Sequence, residues 1–183
     1  MNGIAPCLNK RQSLNKNSKK EGAMKKLFYV IAVLLLIGST EVFAQGTQPV
    51  QVSLINPVQI FREDTSIEGF RINFLYGLNA NLKGFDLGLG NGIKRNAEGV
   101  QFGFVNYVEG NFHGWQQSAA NFTKANFTGF QTGFYNYAGK MKGFQLGLVN
   151  HTGSLEGLQI GLVNINESKN PFFILPIVNF SFR

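Results

Sequence analysis

The sequence predicts an all-β fold, namely a parallel β-solenoid of about eight coils with 14–15 residues each. Three observations carry this prediction. A short phrase that starts with glycine recurs along most of the chain, the same asparagine recurs within it, and the composition favours strands. With 22 Gly and 18 Phe among 183 residues and only 15% charged residues, the chain has the composition of short strands joined by tight corners.

The repeat is clearest in residues 143–150 and 157–164, where Gly, an apolar residue, Gln, an apolar residue, Gly, two apolar residues and Asn follow one another. No copy can bury an apolar face by itself, so the copies are expected to stack. The repeats start 14 or 15 residues apart, at Gly69, Gly84, Gly99, Gly114, Gly129, Gly143, Gly157 and Phe172.

Within each copy the first residue is position zero, and positions one, three and five are mostly large and apolar. In the copy at Gly143 they are Phe144, Leu146 and Leu148. Apolar residues two apart point to one face of a strand. The sequence therefore predicts that these positions form the core and that the Gln and Gly positions between them form the opposite face.

Position seven is Asn in seven of the eight copies. Asn tolerates left-handed backbone and suits a corner, and stacked coils would place Asn on Asn in a hydrogen-bonded ladder. The predicted structural corner Asn ladder consists of Asn91, Asn106, Asn121, Asn136, Asn150, Asn164 and Asn179.

The alternative that the repeats leave open is an eight-stranded antiparallel outer-membrane β-barrel, in which each copy is one strand and its turn. The identical Asn corner favours the solenoid, because the two rims of a barrel normally carry different turns. A membrane strand also needs about 9–11 residues of steady alternation, and each copy supplies roughly six.

The chain before the repeats divides into three segments. Residues 1–23 are polar and basic, and we expect a disordered extension or a mis-assigned start, with translation beginning at Met24. Residues 24–44 have the pattern of a signal peptide: two lysines, an apolar run at 27–37 and a cleavage site after Ala44. The apolar run is short for a bilayer, which needs about 20 residues.

Residues 45–68 are predicted to form an N-terminal cap, with strands near 49–55 and 57–61. Residues 69–183 form the repeat domain. Its last part, residues 172–183, carries Pro176 where other copies carry Gly. Proline belongs on a strand edge, so this segment is predicted to be the C-terminal cap.

The net charge of +7 does not predict a nucleic-acid partner. Residues 1–44 hold seven of the 17 basic and two of the ten acidic residues, which leaves ten basic and eight acidic residues. The remaining basic residues are scattered rather than gathered in a stripe.

The sequence predicts no catalytic residue, no metal site and no cofactor. His113 and His151 occupy different positions in different copies, and the one cysteine, Cys7, precedes the predicted signal peptide. Asp86 occupies a position where other copies carry Gln, and stacking would place it beside Arg71, so we predict a salt bridge between them.

Residues 144–150, 157–165 and 175–180 resemble a family of small exported bacterial proteins whose repeats read Gly-apolar-Gln-apolar-Gly-apolar-apolar-Asn. The tail of this chain, Leu-Pro-Ile-Val-Asn-Phe, is similar to theirs. Related repeats occur in surface lipoproteins of spirochaetes. The resemblance covers about residues 50–182 and implies export, but the family is largely of unknown function, and no cysteine for lipidation follows the apolar run here.

These observations predict a non-enzymatic exported cell-envelope repeat protein with a structural or binding role, placed in the periplasm, the outer membrane or the cell surface of a bacterium. Its candidate partners are an envelope protein, a glycan or the membrane. The alternative function is that of an integral outer-membrane β-barrel with a structural or small-pore role. A polysaccharide-active enzyme built on a β-helix is a third hypothesis, and no acid–base pair supports it.

Overall fold

The structure is a computed structural model that describes residues 25–26, 46–169 and 172–182. The chain divides into two compact units, residues 1–41 and 42–183. In the first unit, Lys25 and Lys26 have helical geometry. The other residues of the predicted extension and signal peptide lie outside the described residues. Everything that follows concerns the second unit.

The second unit is a single sheet of eight strands that pair in chain order, except that the first strand lies between the second and the third, and the fifth strand also pairs with the seventh. The longest strand continues through several repeats without interruption. The strands are β1 (Gln48–Ile55), β2 (Val58–Gln59), β3 (Ile67–Asn79), β4 (Leu82–Ile93), β5 (Ala97–Val108), β6 (Phe112–Gln117), β7 (Ala120–Asn166) and β8 (Ile174–Ser181).

Consecutive repeats pair in parallel and in the register that the sequence predicts. Gly69 lies beside Gly84, Gly84 beside Gly99, and Gly99 beside Gly114. Each repeat is therefore one turn, and the predicted parallel β-solenoid is confirmed. The barrel alternative requires antiparallel pairing between consecutive repeats and is wrong.

The solenoid has about six turns rather than about eight. One reason is that the last copy does not form a coil: β8 runs antiparallel to the end of β7, with Leu158 beside Phe180 and Ile165 beside Ile174. At the other end, β1 pairs in parallel with β3 and places Val50 beside Phe70. The short β2 then turns back against β1.

The interior of the coils contains apolar columns beside a larger number of buried polar side chains. One buried column contains the residue two places before each glycine, such as Ile67, Phe112 and Met141, and another contains Ile93 and Val108. The rings of Phe112 and Phe127 stack with centroids 5.1 Å apart. The rest of the interior is filled by the amide side chains of the repeat's Gln and Asn.

The prediction that positions one, three and five form the core is wrong. Phe74, Phe134 and Leu162 are 60%, 67% and 68% exposed, whereas Gln131 and Asn136 are fully buried. Alternation determines which side chains share a face, but it does not determine which face turns inward. Here the polar face turns inward because stacking lets each amide bond to its copies above and below, which removes most of the cost of burial.

Glycine at position zero is required by the corner of each coil. Its φ angle lies between 122° and 145° at all seven glycines that start a repeat, a region that side chains disfavour. A Cβ at Gly129 would meet the carbonyl oxygen of Gly114 one turn earlier. The sharp corner and the close approach of successive turns therefore both depend on the missing side chain.

Replacing Gly129 by Ala should lower the free energy of unfolding by at least about 2 kcal/mol, because the backbone strain and the collision with the neighbouring turn add together. Chemical denaturation measures the loss. Gly46→Ala is the control, since no atom lies within 4 Å of a Cβ there. Equal stability of the two variants would contradict this account of the corner.

Candidate functional site: an exposed apolar face

Positions one, three and five of the seven repeats between Gly69 and Leu162 form a continuous outer surface, which we call the apolar face. None of its side chains is charged. A row of aromatic rings runs along it: Phe85 lies 5.8 Å from Phe102, Phe102 lies 5.0 Å from Trp115, and Phe130 stacks on Phe144 at 4.9 Å. The parallel register creates this row by placing like positions of successive turns side by side.

The apolar face is large for a protein surface. Twelve of its large apolar side chains are more than a third exposed. One such side chain has about 150–250 Å² of surface, so the face presents on the order of 1,000 Å². The largest apolar patch of a typical monomer covers about 300–600 Å². An apolar surface of this size is typical of a binding site.

The two ends extend the apolar face. Val50, next to Phe70, is 47% exposed at the first strand, and Phe180, next to Leu158, is 49% exposed at the last. The middle is different, because the repeat at Gly114 supplies Trp115, Gln117 and Ala119. In the position-five column, Ala119 stands between Phe104 and Phe134, which are 64% and 67% exposed. That column forms one side of a shallow groove that runs over position four through six turns.

Beneath the face, hydrogen bonds join the buried Asn side chains of successive turns. Each Nδ2 from Asn91 to Asn150 donates to the Oδ1 of the next Asn at 2.8–3.0 Å, and the chain ends at Asn164. The seventh predicted member is not in it: Asn179 lies in β8 beside Gln159, and its amide has no partner among the described residues. The first turn contributes Asn73, whose Nδ2 donates to Asn91 at 2.7 Å.

The Asn residues do not have the left-handed backbone that a corner would give them. Among the described residues, the positive φ angles outside glycine belong to Lys169 and Ile177. The buried Asn instead directs its amide into the interior, where it occupies the space beside the position-four glycine. A Cβ at Gly147 would lie 2.6 Å from the Nδ2 of Asn136.

The pairing of Gly at position four with Asn at position seven was visible in the sequence, but its meaning was missed. The first repeat exchanges the two: Asn73 stands at position four, and Gly77, at position eight, lies beside Asn91 because the register shifts by one residue after Asn73. The side chain of Asn73 occupies the space where a Cβ of Gly77 would lie. This exchange was the signal that both residues serve one buried amide.

A second row of buried amides consists of Gln159, Gln145, Gln131, Gln116 and Gln101. Each Nε2 donates to the Oε1 of the preceding Gln at 2.7–3.0 Å. The row ends where Gln101 donates to Oδ2 of Asp86 at 2.8 Å. We call this row the Gln ladder and the previous one the Asn ladder.

The predicted salt bridge between Arg71 and Asp86 is confirmed. Nε and Nη2 of Arg71 donate to the two carboxylate oxygens at 2.8 and 2.6 Å, and both side chains are completely buried. Arg71 also donates to Asn79 Oδ1 at 3.2 Å and to the carbonyl oxygen of Gly92 at 2.9 Å. The pair therefore lies inside the solenoid as part of the Gln ladder, far from a surface site.

The two histidines lie apart. His113 is exposed, whereas His151 contacts Tyr135 Oη through Nδ1 at 3.4 Å and Glu167 Oε1 through Nε2 at 2.8 Å. Burial raises the pKa of the Tyr135 phenol above its usual value. Within residues 46–169 and 172–182, no three His, Asp or Glu side chains are grouped closely enough to hold a metal ion. Cys7 lies outside the described residues.

A comparison of the chain with protein-family models, with curated proteins and with solved structures finds no match. Among the described residues, no helix has the length and apolar character needed to span a membrane.

Replacing Arg71 alone by Gln should cost about 3–5 kcal/mol of unfolding free energy, because it leaves the Asp86 carboxylate buried without its counter-charge. Asp86→Gln should cost a similar amount. The double variant Arg71→Gln with Asp86→Gln should be markedly more stable than either single variant, since five other turns carry Gln at this position. Additive losses in a double-mutant cycle would contradict this expectation.

Replacing Asn136 by Ala should lower the free energy of unfolding by about 2–4 kcal/mol, because the buried amide of Asn121 loses its acceptor and Asn150 loses its donor. Asn111→Ala is the matched control. Asn111 also bonds to its copies one turn away, Asn96 and Asn126, but at an exposed position where water can replace it. The comparison is made by urea unfolding, and a loss of equal size in the control would show that burial of the Asn ladder is irrelevant.

Proposed function

We propose that this protein is a non-enzymatic, exported repeat protein of the bacterial cell envelope with a structural or binding role, and that it works through its apolar face. The observation that carries the proposal is the size and uniformity of that face, which holds no charged side chain across seven repeats. An apolar surface held by a rigid sheet can pack against a partner, and the solenoid repeats it regularly along its length.

The chemistry of the apolar face supports binding rather than catalysis. Apart from Gln117 and Thr132, its side chains are Phe, Leu, Ile, Val, Trp and Ala, which offer neither a nucleophile nor a group that exchanges protons near neutral pH. The hydroxyl of Thr132 is a nucleophile only beside a general base, and the face carries none. Asp86, the acidic side chain at the Gln position of the repeat, is buried in its pair with Arg71. The hydrogen-bonded contact of His151 with Glu167 lies outside the apolar face.

The edge next to the apolar face supports a partner other than nucleic acid. Charges of both signs alternate there, and they pair between turns: Lys83 lies 3.4 Å from Glu68, and Lys142 lies 2.7 Å from Glu156. A phosphate backbone is bound by a concentration of positive charge. Mixed charges instead keep the rim of the surface soluble.

Export is the part of the proposal that rests on residues 24–44 and their signal-peptide pattern. We expect the full chain, expressed in a Gram-negative host, to be recovered from the envelope or periplasmic fraction with Gln45 at its amino terminus. Fractionation followed by amino-terminal sequencing measures this. Recovery of the uncleaved chain from the cytosol would contradict the proposal.

The matched control is the variant Leu34→Arg with Leu35→Arg, which places two charges in the apolar run and leaves the repeats unchanged. It should stay in the cytosol uncleaved, because a charged segment no longer serves as a signal peptide. Equal export of this variant would show that residues 24–44 are not the signal.

A further inference from the structure

We propose that the occupant of the apolar face is a second copy of this chain, and that the two solenoids pair face to face as a two-fold symmetric dimer. The inference rests on the proposed function in one respect only, that the apolar face is the working surface. It does not depend on export.

The area fits a stable dimer. The face presents on the order of 1,000 Å², and a standard interface buries about 800 Å² on each partner. The surface also lies on one side of a regular sheet, and two sheets pack face to face about 10 Å apart when their inner side chains interdigitate. A second copy is the one partner whose face is certain to have the same length and strand spacing.

The absence of charge fits self-association. In a two-fold dimer the same patch meets itself, so a patch with a net charge would repel its copy, and a charge on the axis would meet a like charge. The three columns of the apolar face contain no Lys, Arg, Asp or Glu. The charged residues begin immediately outside the face, at Glu68 and Lys83, where they remain exposed to solvent.

The middle of the face is self-complementary. Suppose that the two-fold axis lies in the interface and runs along the position-three column. The position-one column of one copy then faces the position-five column of the other, and each turn lies opposite the same turn of its partner. The largest side chain of its column, Trp115, then lies opposite the smallest, Ala119 of the partner subunit. The indole, which donates to Thr132 Oγ1 of its own chain at 3.4 Å, would cover the space that the small Ala119 leaves in the partner's position-five column, and the same contact would form twice.

The one amide on the apolar face lies on that axis. Gln117 is exposed, and it would meet the partner's Gln117, with which it can exchange one donor and one acceptor. Two identical amides can bond to each other without a like-charge penalty. A polar group at the centre of an apolar interface also fixes the register of the two copies, as a single buried Asn does in coiled coils.

The rim argues against a lipid surface as the occupant. Membrane-surface binding combines an apolar face with flanking Lys and Arg that attract anionic lipids. Here the flanking charges alternate in sign from Glu68 to Lys83 to Glu98. The rim gives no net attraction to an anionic headgroup. A fluid acyl layer also has no fixed shape, so the match in size between Trp115 and Ala119 would not contribute to lipid binding.

The test measures association of the protein purified from cells that express the full chain. Sedimentation velocity should show a dimer at micromolar concentration. Phe134→Glu should raise the dimer dissociation constant at least about 100-fold, because it buries like charges in an apolar interface. Thr128→Glu, which adds the same charge outside the face, should leave the constant unchanged. Circular dichroism of both variants checks that the fold is retained.

A second variant tests the register without disturbing packing. Gln117→Cys in a Cys7→Ser background should be joined to its copy by a short bifunctional thiol reagent, because the axis places the two residues opposite each other. Sheets about 10 Å apart hold the two Cα atoms beyond the reach of a disulfide, so the reagent must bridge the gap. Cysteine at exposed His113 should not be joined in this way. Cross-linking at 117 and not at 113 supports the dimer, and the reverse pattern overturns it.

The remaining outcomes separate the inference from the proposed function. A monomer at 100 micromolar overturns the dimer, and so does a monomer that binds vesicles of phosphatidylglycerol, which would make a lipid surface the occupant. A dimer found in the cytosol uncleaved supports the dimer and contradicts export. An exported monomer supports the proposed function alone.

Discussion

The hydrogen bonds between identical amides on successive turns are the interaction on which the rest of this structure depends. A buried amide without a partner costs a few kcal/mol, and this interior contains a Gln and an Asn in nearly every turn. Burial is tolerable because each amide finds the matching amide of the next turn within hydrogen-bonding distance. Parallel register, constant repeat length and the glycines at positions zero and four all follow from that requirement. Where the pattern changes, as at Asp86, the charge is matched by Arg71 in the same row.

The repeat period, the parallel stacking and the Arg71–Asp86 pair were predictable from the sequence, because they depend on which positions recur and which become neighbours. The direction of each face was not. Phe144, Leu146 and Leu148 alternate with Gln and Gly, and this alternation is the same whichever side faces the interior. The general rule that apolar residues lie inside therefore gave the wrong prediction for this face. The decisive information was the joint occurrence of Gly and Asn, exchanged in the first repeat, because a glycine that makes room for an amide must lie on the same side as that amide.

The antiparallel last strand was also beyond reach of the repeat pattern. Residues 172–179 keep the spacing of the repeat, but Pro176 removes a backbone donor, and the strand approaches β7 from the opposite direction. Its Asn179 consequently lies beside Gln159 rather than beneath Asn164, and both ladders end there. The spacing of residues along the chain does not reveal the direction in which a strand runs. In the structure, the changed direction of β8 shows in the amide of Asn179, which has no partner among the described residues.

The two ladders run in opposite directions. Every amide of the Gln ladder donates toward the first turn, and every amide of the Asn ladder donates toward the last. Their dipoles therefore oppose each other, so the stack gains little net dipole as it lengthens, much as the dipoles of neighbouring strands cancel. No amide can rotate alone, because a reversed group would set donor against donor on one side and acceptor against acceptor on the other. The Asp86 carboxylate accepts from the end of the Gln ladder and thus sets the orientation of each amide behind it. One charge near the start of the array therefore determines which way the amide of Gln159 points, five turns away.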